Sequence, residues 1–314
     1  MGQSLARRII AGDAMAHVIG QIDDLVIAEA AAAGTPLVGK TLEQAHESHI
    51  VDASIVGIWE GGIFVLPQKA TIITKKSILV LAGTQNHIDR YNELFCIYNI
   101  NSAPIIIVGG GSVGRALGRS MKERELNFRI IERSKEFVPD DKQYIQGDAT
   151  DVQILKQAGF FEAPAIAITS HSDPINIYLT TYCRYLRKDI QIISRATLDR
   201  SVNTLHTAGC DFVVSHASLG ANNIFNLSKR GNILMIAEGV DVFRLKTPKA
   251  LIGKTIKSAS IQDECGCSII GVSEKGSMMI NPFVETILPA EGEIIMIGSV
   301  ESEERFFRRY KPKN

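Results

Sequence analysis

The sequence is short of most features that announce a chemistry. It has one Trp and five Cys in 314 residues, and no long apolar run. No stretch approaches the ~20 apolar residues of a membrane-spanning helix, and the N-terminus lacks an apolar signal core. On that ground the chain is expected to be soluble and cytosolic. The cysteines Cys96, Cys183, Cys210, Cys265 and Cys267 are odd in number and scattered, which argues against a disulfide framework. Cys265 and Cys267 stand one residue apart, with no second pair or His cluster at zinc spacing, so buried or strand-facing thiols are expected. Lys plus Arg equal Asp plus Glu at 34 each. That balance argues against a general nucleic-acid binder, which needs a basic face to displace counterions. No acidic cluster is specific enough to name a metal site. Asp140-Asp141 and Glu301 to Glu304 read as solvated charges.

What remains is an ordinary globular composition, 45% hydrophobic and 22% charged, long enough for two or three domains. The organisation shows in an internal repeat. Leu37 to Leu42 reads LVGKTL, and Leu251 to Ile256 reads LIGKTI. At the same offset SIVGIWEGG from Ser54 matches SIIGVSEKG from Ser268. After one inserted residue, LVLAGT from Leu79 matches IIMIGS from Ile294. Each copy predicts a turn and helix after GKT, two Ile/Val-rich strands around a Gly turn (Gly61-Gly62; Lys275-Gly276), a third strand and a closing charged helix. The Lys-Thr pair lacks the upstream glycine of a phosphate loop, so GKT is read as a turn and helix cap. Ser4-Leu5 stands to the first copy as Ser218-Leu219 stands to the second. The chain is thus expected to begin where an earlier lobe ended, as a fragment of a longer tandem protein.

Between the copies lies strand–helix alternation. Pro104 opens the buried strand Ile105 to Val108, followed by Gly109-Gly110-Gly111-Ser112-Val113-Gly114 and a helix to about Glu125. Gly109, Gly111 and Gly114 make GxGxxG. The first glycine makes a tight turn, the second lets backbone approach a pyrophosphate, and the third lets helix and strand pack closely. Free amides at the helix start, including those at Ser112 and Val113, would hold phosphate. Phe128 to Ile131 is a second strand ending in Glu132, placed to accept from a ribose diol and to repel the extra phosphate of NADP. Further strands are expected at Gln143 to Gln146, Ala165 to Ile168, Gln191 to Ser194 and Asp211 to Val214. They leave Asp148, Thr169 and Arg195 at strand ends, where ligands bind in open α/β sheets.

These segments together resemble the RCK family, the regulators of potassium conductance, also called KTN or Trk-type domains. The carrying motifs are VGGGSVGR at 108–115, IIER at 130–133, GDAT at 147–150, Thr169…Asp173…Asn176, SRA at 194–196 and AGCDFVVS at 208–215. The resemblance implies an α/β chain: a Rossmann-type parallel-sheet lobe flanked by two small α+β RCK C-terminal lobes. The expected domains are 1–23, a crossover helix left from a preceding Rossmann lobe; 24–98, a first C-terminal lobe; 103–237, the Rossmann lobe with a crossover helix from Ser218 to about Arg230; and 238–314, a second C-terminal lobe. The family unit is one Rossmann lobe followed by one C-terminal lobe, so this chain departs from it.

By resemblance, Glu132 and Arg133 would contact the adenosine ribose and base, Asp148 would lie near the adenine, and Gly147 and Ala149 of the same motif are expected to belong to the binding site. NAD or NADH is the expected ligand, with ATP or ADP as alternatives; some members also bind calcium, which no residue here assigns. The family implies homo-oligomers in which lobes pair and ring up, four tandem chains to a gating ring, at the inner face of the cell membrane. The expected function is a cytoplasmic region gating potassium transport on nucleotide binding, as part of a potassium channel. The alternative is a soluble subunit of a Trk or Ktr potassium transporter. An NAD-dependent oxidoreductase is a weaker reading, because no substrate domain with an acid or base is evident. His171 is the best catalytic candidate near the rim and is read as a loop residue.

Overall fold

The computed structural model describes residue 5 and residues 14–47, 53–60, 63–96, 103–215, 233–237 and 239–310. The crossover helix expected from Ser218 lies outside the described residues, as does the Gly61-Gly62 turn. So do all but Leu5, Ala14 and Met15 of the helix expected near residues 4–15. The chain divides into two compact units, one holding a parallel sheet and the other two antiparallel sheets.

The first antiparallel sheet is built from β1 (His17–Ile22), β2 (Leu25–Ala31), β3 (Ser54–Glu60), β4 (Ile63–Val65) and β5 (Ile78–Gly83), with α1 (Leu42–Glu47) and α2 (Gln85–Phe95). Its strand order is β1-β2-β5-β3-β4. The hairpin β1–β2 corrects the sequence reading, which began this lobe at residue 24 and gave it three strands. All seven residues of β2 are buried. A strand covered on both faces has no period-two alternation to betray it. α2 closes the lobe, its buried Ile88, Tyr91 and Phe95 on one face, the last two stacked at 4.3 Å between ring centroids.

The parallel sheet follows as β6 (Ile105–Val108), α3 (Ser112–Glu123), β7 (Phe128–Glu132), β8 (Tyr144–Gln146), α4 (Val152–Ala158), β9 (Ala165–Ile168), α5 (Asp173–Leu186), β10 (Gln191–Ala196), α6 (Arg200–Thr207) and β11 (Phe212–Ser215). The order β8-β7-β6-β9-β10-β11 is that of a doubly wound dinucleotide-binding sheet. The order in which strands are added reverses at β6: β7 and β8 lie on one side of it and β9 to β11 on the other, with β6 and β9 paired in parallel from Ile106↔Ile166 to Val108↔Ile168. This switch point opens a crevice beyond the strand ends. One core cluster joins Ile106, Val108, Ile166 and Ile168 to Leu155, Leu179 and Leu205 of the helices. β10 runs two residues beyond the expected end, so Arg195 belongs to the strand.

The second antiparallel sheet repeats the first: β12 (Ile233–Ala237), β13 (Val240–Lys246), α7 (Ile256–Ala259), α8 (Ile261–Cys265), β14 (Cys267–Glu274), β15 (Ser277–Ile280), β16 (Gly292–Ser299) and α9 (Val300–Tyr310), in the order β12-β13-β16-β14-β15. β12 lies inside the segment expected to end the Rossmann lobe, yet it pairs with β13 of this sheet. A β-bulge between Ile55 and Gly57 recurs between Ile269 and Gly271, at the matching place of the repeat. GKT is a cap in both copies. Thr41 Oγ1 accepts from the Gln44 amide at 3.2 Å and Gln44 Oε1 from the Thr41 amide at 3.0 Å. Thr255 and Ser258 exchange the same two bonds at 3.1 and 3.0 Å. The two lobes also touch: Arg244 forms an ion pair with Asp23, and Asn281 Nδ2 donates to the Ala82 carbonyl at 2.9 Å.

Candidate functional site

The loop after β6 comes from sequence that leaves no room for side chains at two of its glycines. Gly109 leaves β6 with φ +104°, a conformation that side chains rarely adopt. Its amide donates to the Ile131 carbonyl at 2.9 Å, so the turn is pinned to β7. A Cβ on Gly114 would stand 1.9 Å from the Gly109 carbonyl oxygen, so α3 can lie this close to β6 only with glycine there. Gly111 is the N-cap of α3, and no side chain caps that helix. A Cβ on Gly111 would meet only His171 Nε2, at 3.8 Å. The helix start, with its outward amides and positive dipole end, is therefore uncrowded by side chains and suited to phosphate. Ser112 and Val113 begin the first turn, Ser112 exposed.

Glu132 closes the site from β7. Its Oε2 accepts from the Gly110 amide at 2.6 Å and its Oε1 from the Ser134 amide at 2.8 Å. The carboxylate is thus held rigidly beside the glycine loop. Each oxygen keeps a second acceptor site for a ribose diol, and an added 2′-phosphate would meet like charge.

From β9, the Thr169 hydroxyl donates to the Val108 carbonyl at 2.9 Å and lies 3.2 Å from the Gly109 carbonyl oxygen. Thr169 is buried, so its part is to brace the glycine turn across the crevice. Burial works to raise the Asp173 carboxyl, but hydrogen bonds from the Thr197 and Leu198 amides and from Ser201 outweigh it and hold the group below its usual range. The two amide bonds are 2.8 and 3.0 Å long. Asn176 Nδ2 donates to the Arg195 carbonyl at 2.9 Å and to that of Ser170 at 3.1 Å. The Arg195 side chain is buried, and its Nη1 stands 3.1 Å from His171 Nδ1.

The third segment divides. Asp148 Oδ1 accepts from the Thr150 amide at 2.9 Å and the Thr150 hydroxyl at 2.8 Å. Those bonds, with Arg133 beside it, depress the Asp148 carboxyl. Arg133 is exposed and 3.9 Å from Asp148 Oδ2, so the two could frame a base together. Ala149 has no such access, since its side chain lies in the apolar core. A Cβ on Gly147 would stand 2.6 Å from Ile154 Cδ1, so this glycine serves the packing of α4. The Thr197 and Leu198 amides on Asp173, and the contact of His171 with Arg195, are site features that the sequence reading did not assemble. The spacing Thr169…Asp173…Asn176 was their only trace.

Other chemistry finds little support. Burial pushes the Cys183 and Cys267 thiols up to about 12, and it raises Cys210 and Cys265 as well, so these thiols stay protonated at neutral pH. Among the described residues no three His, Cys, Asp or Glu side chains gather as a metal site, and no helix is long and apolar enough to cross a membrane.

Residues 105–216 match the family model of the TrkA-N domain, and residues 26–95 and 242–311 each match that of the TrkA-C domain. The chain is 29% identical over 218 residues to "Probable potassium channel protein 2" of Methanocaldococcus jannaschii, covering 63% of this chain and 64% of that protein. It is 30% identical over 211 residues to the "Trk system potassium uptake protein TrkA homolog" of Pyrococcus horikoshii, covering 62% of this chain and 91% of that one. Among solved structures, the GsuK RCK domain aligns with 98% of the chain and 68% of its own, at 35% identity and a TM-score of 0.59. The GsuK channel bound to NAD aligns with 98% of the chain at 36% identity and a TM-score of 0.56, and the chain spans 57% of it. The chain therefore spans less than two thirds of both channel proteins.

Proposed function

The chain belongs to the family built from TrkA-N and TrkA-C domains, and from that premise we propose that it is a cytoplasmic regulatory region that gates potassium transport when NAD or NADH binds beside Gly111. One observation carries this reading. The glycine turn, the uncapped start of α3 and the Glu132 carboxylate converge at the switch point of a doubly wound sheet. A relative aligned over nearly the whole chain is named as a channel bound to NAD, which supports the choice of ligand.

Gly109, Gly110, Gly111 and Gly114 would shape the phosphate cradle, Ser112 and Val113 would supply amides, and Glu132 would take the ribose. Arg133 and Asp148 would flank the base, with Thr169 and Arg195 as the far wall. When bound, the nucleotide acts here as a signal, biasing one arrangement of lobes by its differential affinity for the two states. Around the glycine loop, the described carboxylates Glu132, Asp148 and Asp173 are each engaged by backbone amides, which favours regulation over hydride transfer.

The C-lobe, Rossmann lobe, C-lobe order and the alignment with the GsuK channel favour a channel over a separate Trk-type subunit. Assembly with further copies is part of the proposal. The α5 face carrying Ile175, Tyr178 and Tyr185 is exposed at 42%, 53% and 82%, an apolar surface that a second copy could cover. The test is calorimetry of the chain with NAD, NADH, ATP and ADP, then potassium flux from vesicles bearing the intact transport system, with and without nucleotide. Saturable binding and a nucleotide-dependent flux are expected. No binding, or turnover of NADH with a substrate, overturns the reading.

A further inference from the structure

His171 sits in the turn between β9 and α5, exposed, across the crevice from the start of α3. Its two ring nitrogens face different neighbours. Nδ1 stands 3.1 Å from Arg195 Nη1, and a guanidinium can only donate. Nδ1 is therefore the acceptor, and the neutral ring carries its proton on Nε2. Among the described residues outside its own turn, Nε2 is the atom that a Cβ on Gly111 would meet, at 3.8 Å. The residue is also held from behind. The Thr197 hydroxyl lies 3.3 Å from the His171 carbonyl, and Arg195 is itself fixed at its backbone by Asn176. A buried cation thus sets the tautomer of an exposed imidazole whose N–H lies beside the amides of the glycine loop.

We propose that His171 touches the bound ligand, donating from Nε2 to its phosphates, with Arg195 as the positioning residue that fixes the ring. This rests on the nucleotide reading above and makes it narrower. The site would then select adenine ligands with two linked phosphates, such as ADP or the pyrophosphate of NAD, over the bare nucleoside. Glu132 reads the ribose on the opposite side, so the two ends of the ligand are sensed by separate groups.

The experiment is calorimetry of the full chain with ADP and with adenosine, for the unmutated protein, His171→Ala and His171→Gln. His171 is exposed, so its replacement leaves the fold intact, which an unchanged unfolding midpoint verifies. Loss of a hydrogen bond to a charged group predicts that His171→Ala weakens ADP about tenfold or more and shifts adenosine by less than about twofold. His171→Gln, whose amide N–H can stand in for Nε2–H, should recover most of the ADP affinity. Equal losses for ADP and adenosine, or no loss for either, overturn the proposal while leaving the nucleotide site in place. If the unmutated chain binds neither ligand, the nucleotide reading itself fails, and this one with it.

Discussion

Gly114 and Gly111 belong to one motif but carry different loads, and two alanine substitutions separate them. Gly114→Ala places its Cβ 1.9 Å from the Gly109 oxygen and 3.1 Å from Thr169 Oγ1. A carbon–oxygen contact relaxes at ~3.3 Å, so α3 must retreat by more than about 1 Å. Neither neighbour yields easily: Gly109 is bonded to Ile131, and Thr169 to Val108. Overpacking against such a fixed backbone costs about 1–3 kcal/mol. At roughly 4 °C per kcal/mol for a domain of this size, the unfolding midpoint of the parallel-sheet unit should fall by several degrees. The amides at the head of α3 move with it, and losing one charged hydrogen bond weakens NAD about tenfold to a hundredfold. Gly111→Ala meets only His171 and sits at an N-cap with φ −69°. Alanine is a poorer N-cap than glycine, but it restricts the unfolded chain, and the two effects offset to within about 1 kcal/mol. Its midpoint should stay nearly unchanged while NAD affinity still falls, because the methyl occupies the approach to the backbone. Scanning calorimetry reads the first quantity and titration calorimetry the second. Gly114→Ala with an unchanged midpoint, or Gly111→Ala with unchanged NAD affinity, refutes the reasoning.

Other sites give shorter tests. Glu132→Gln turns one acceptor into a donor facing the Gly110 or Ser134 amide and removes the charge; the ratio of NAD to NADP affinity should fall at least about tenfold, and an unchanged ratio would show that the carboxylate does not read the ribose. Asp173→Asn should destabilise the parallel-sheet unit by about 1–3 kcal/mol at neutral pH. The folded Asp173 carboxyl is held below its ordinary 3.8, so its stabilisation is complete above that value and is lost on acidification through the folded value; denaturation of both proteins across acid pH should show the gap closing there. Thr41→Ala and Thr255→Ala should each cost about 1 kcal/mol as lost helix caps, and neither should change nucleotide affinity. Weaker NAD binding in either would return GKT to consideration as a phosphate loop.

The parallel sheet was legible because its strands are short Ile/Val/Ala runs bounded by Gly, Pro and Asp. Its glycine loop was legible because each glycine has a separate steric task. β2 and β13 were not. LVIAEAA has the alanine content of a helix, and only its place between β1 and β5 makes it a strand. The steric tasks of Gly109 and Gly114 in the turn could be read from each residue alone. Surroundings that neighbours decide could not. Ala149 belongs to a recognisable motif, yet the path of α4 turns its methyl into the core. Thr169 stands at a strand end, but its hydroxyl spends its bonds bracing β6. The contact of His171 with Arg195 joins the turn after β9 to β10, which meet only in the fold, and no local pattern encodes it.

The contacts between the two antiparallel lobes have a consequence of their own. By strand register, Glu29, opposite Val80, holds the place that Arg244 holds opposite Ile295. In sequence, Glu238 follows Ala237 as Asp23 follows Ile22. The matching positions thus carry two acids where the Arg244–Asp23 pair has opposite charges. Likewise Leu66, which precedes Pro67 as Asn281 precedes Pro282, has no side-chain amide to offer. The lobes share one pattern and meet through matching elements, β1 against β12, but these two polar contacts are not duplicated in kind by the residues at the matching positions. Because both halves lie on one chain, dilution does not part them, since each sees its mate at a concentration set by the tether. A change on one face therefore alters one half of the joint, whereas in a symmetric pair of separate chains it would strike both.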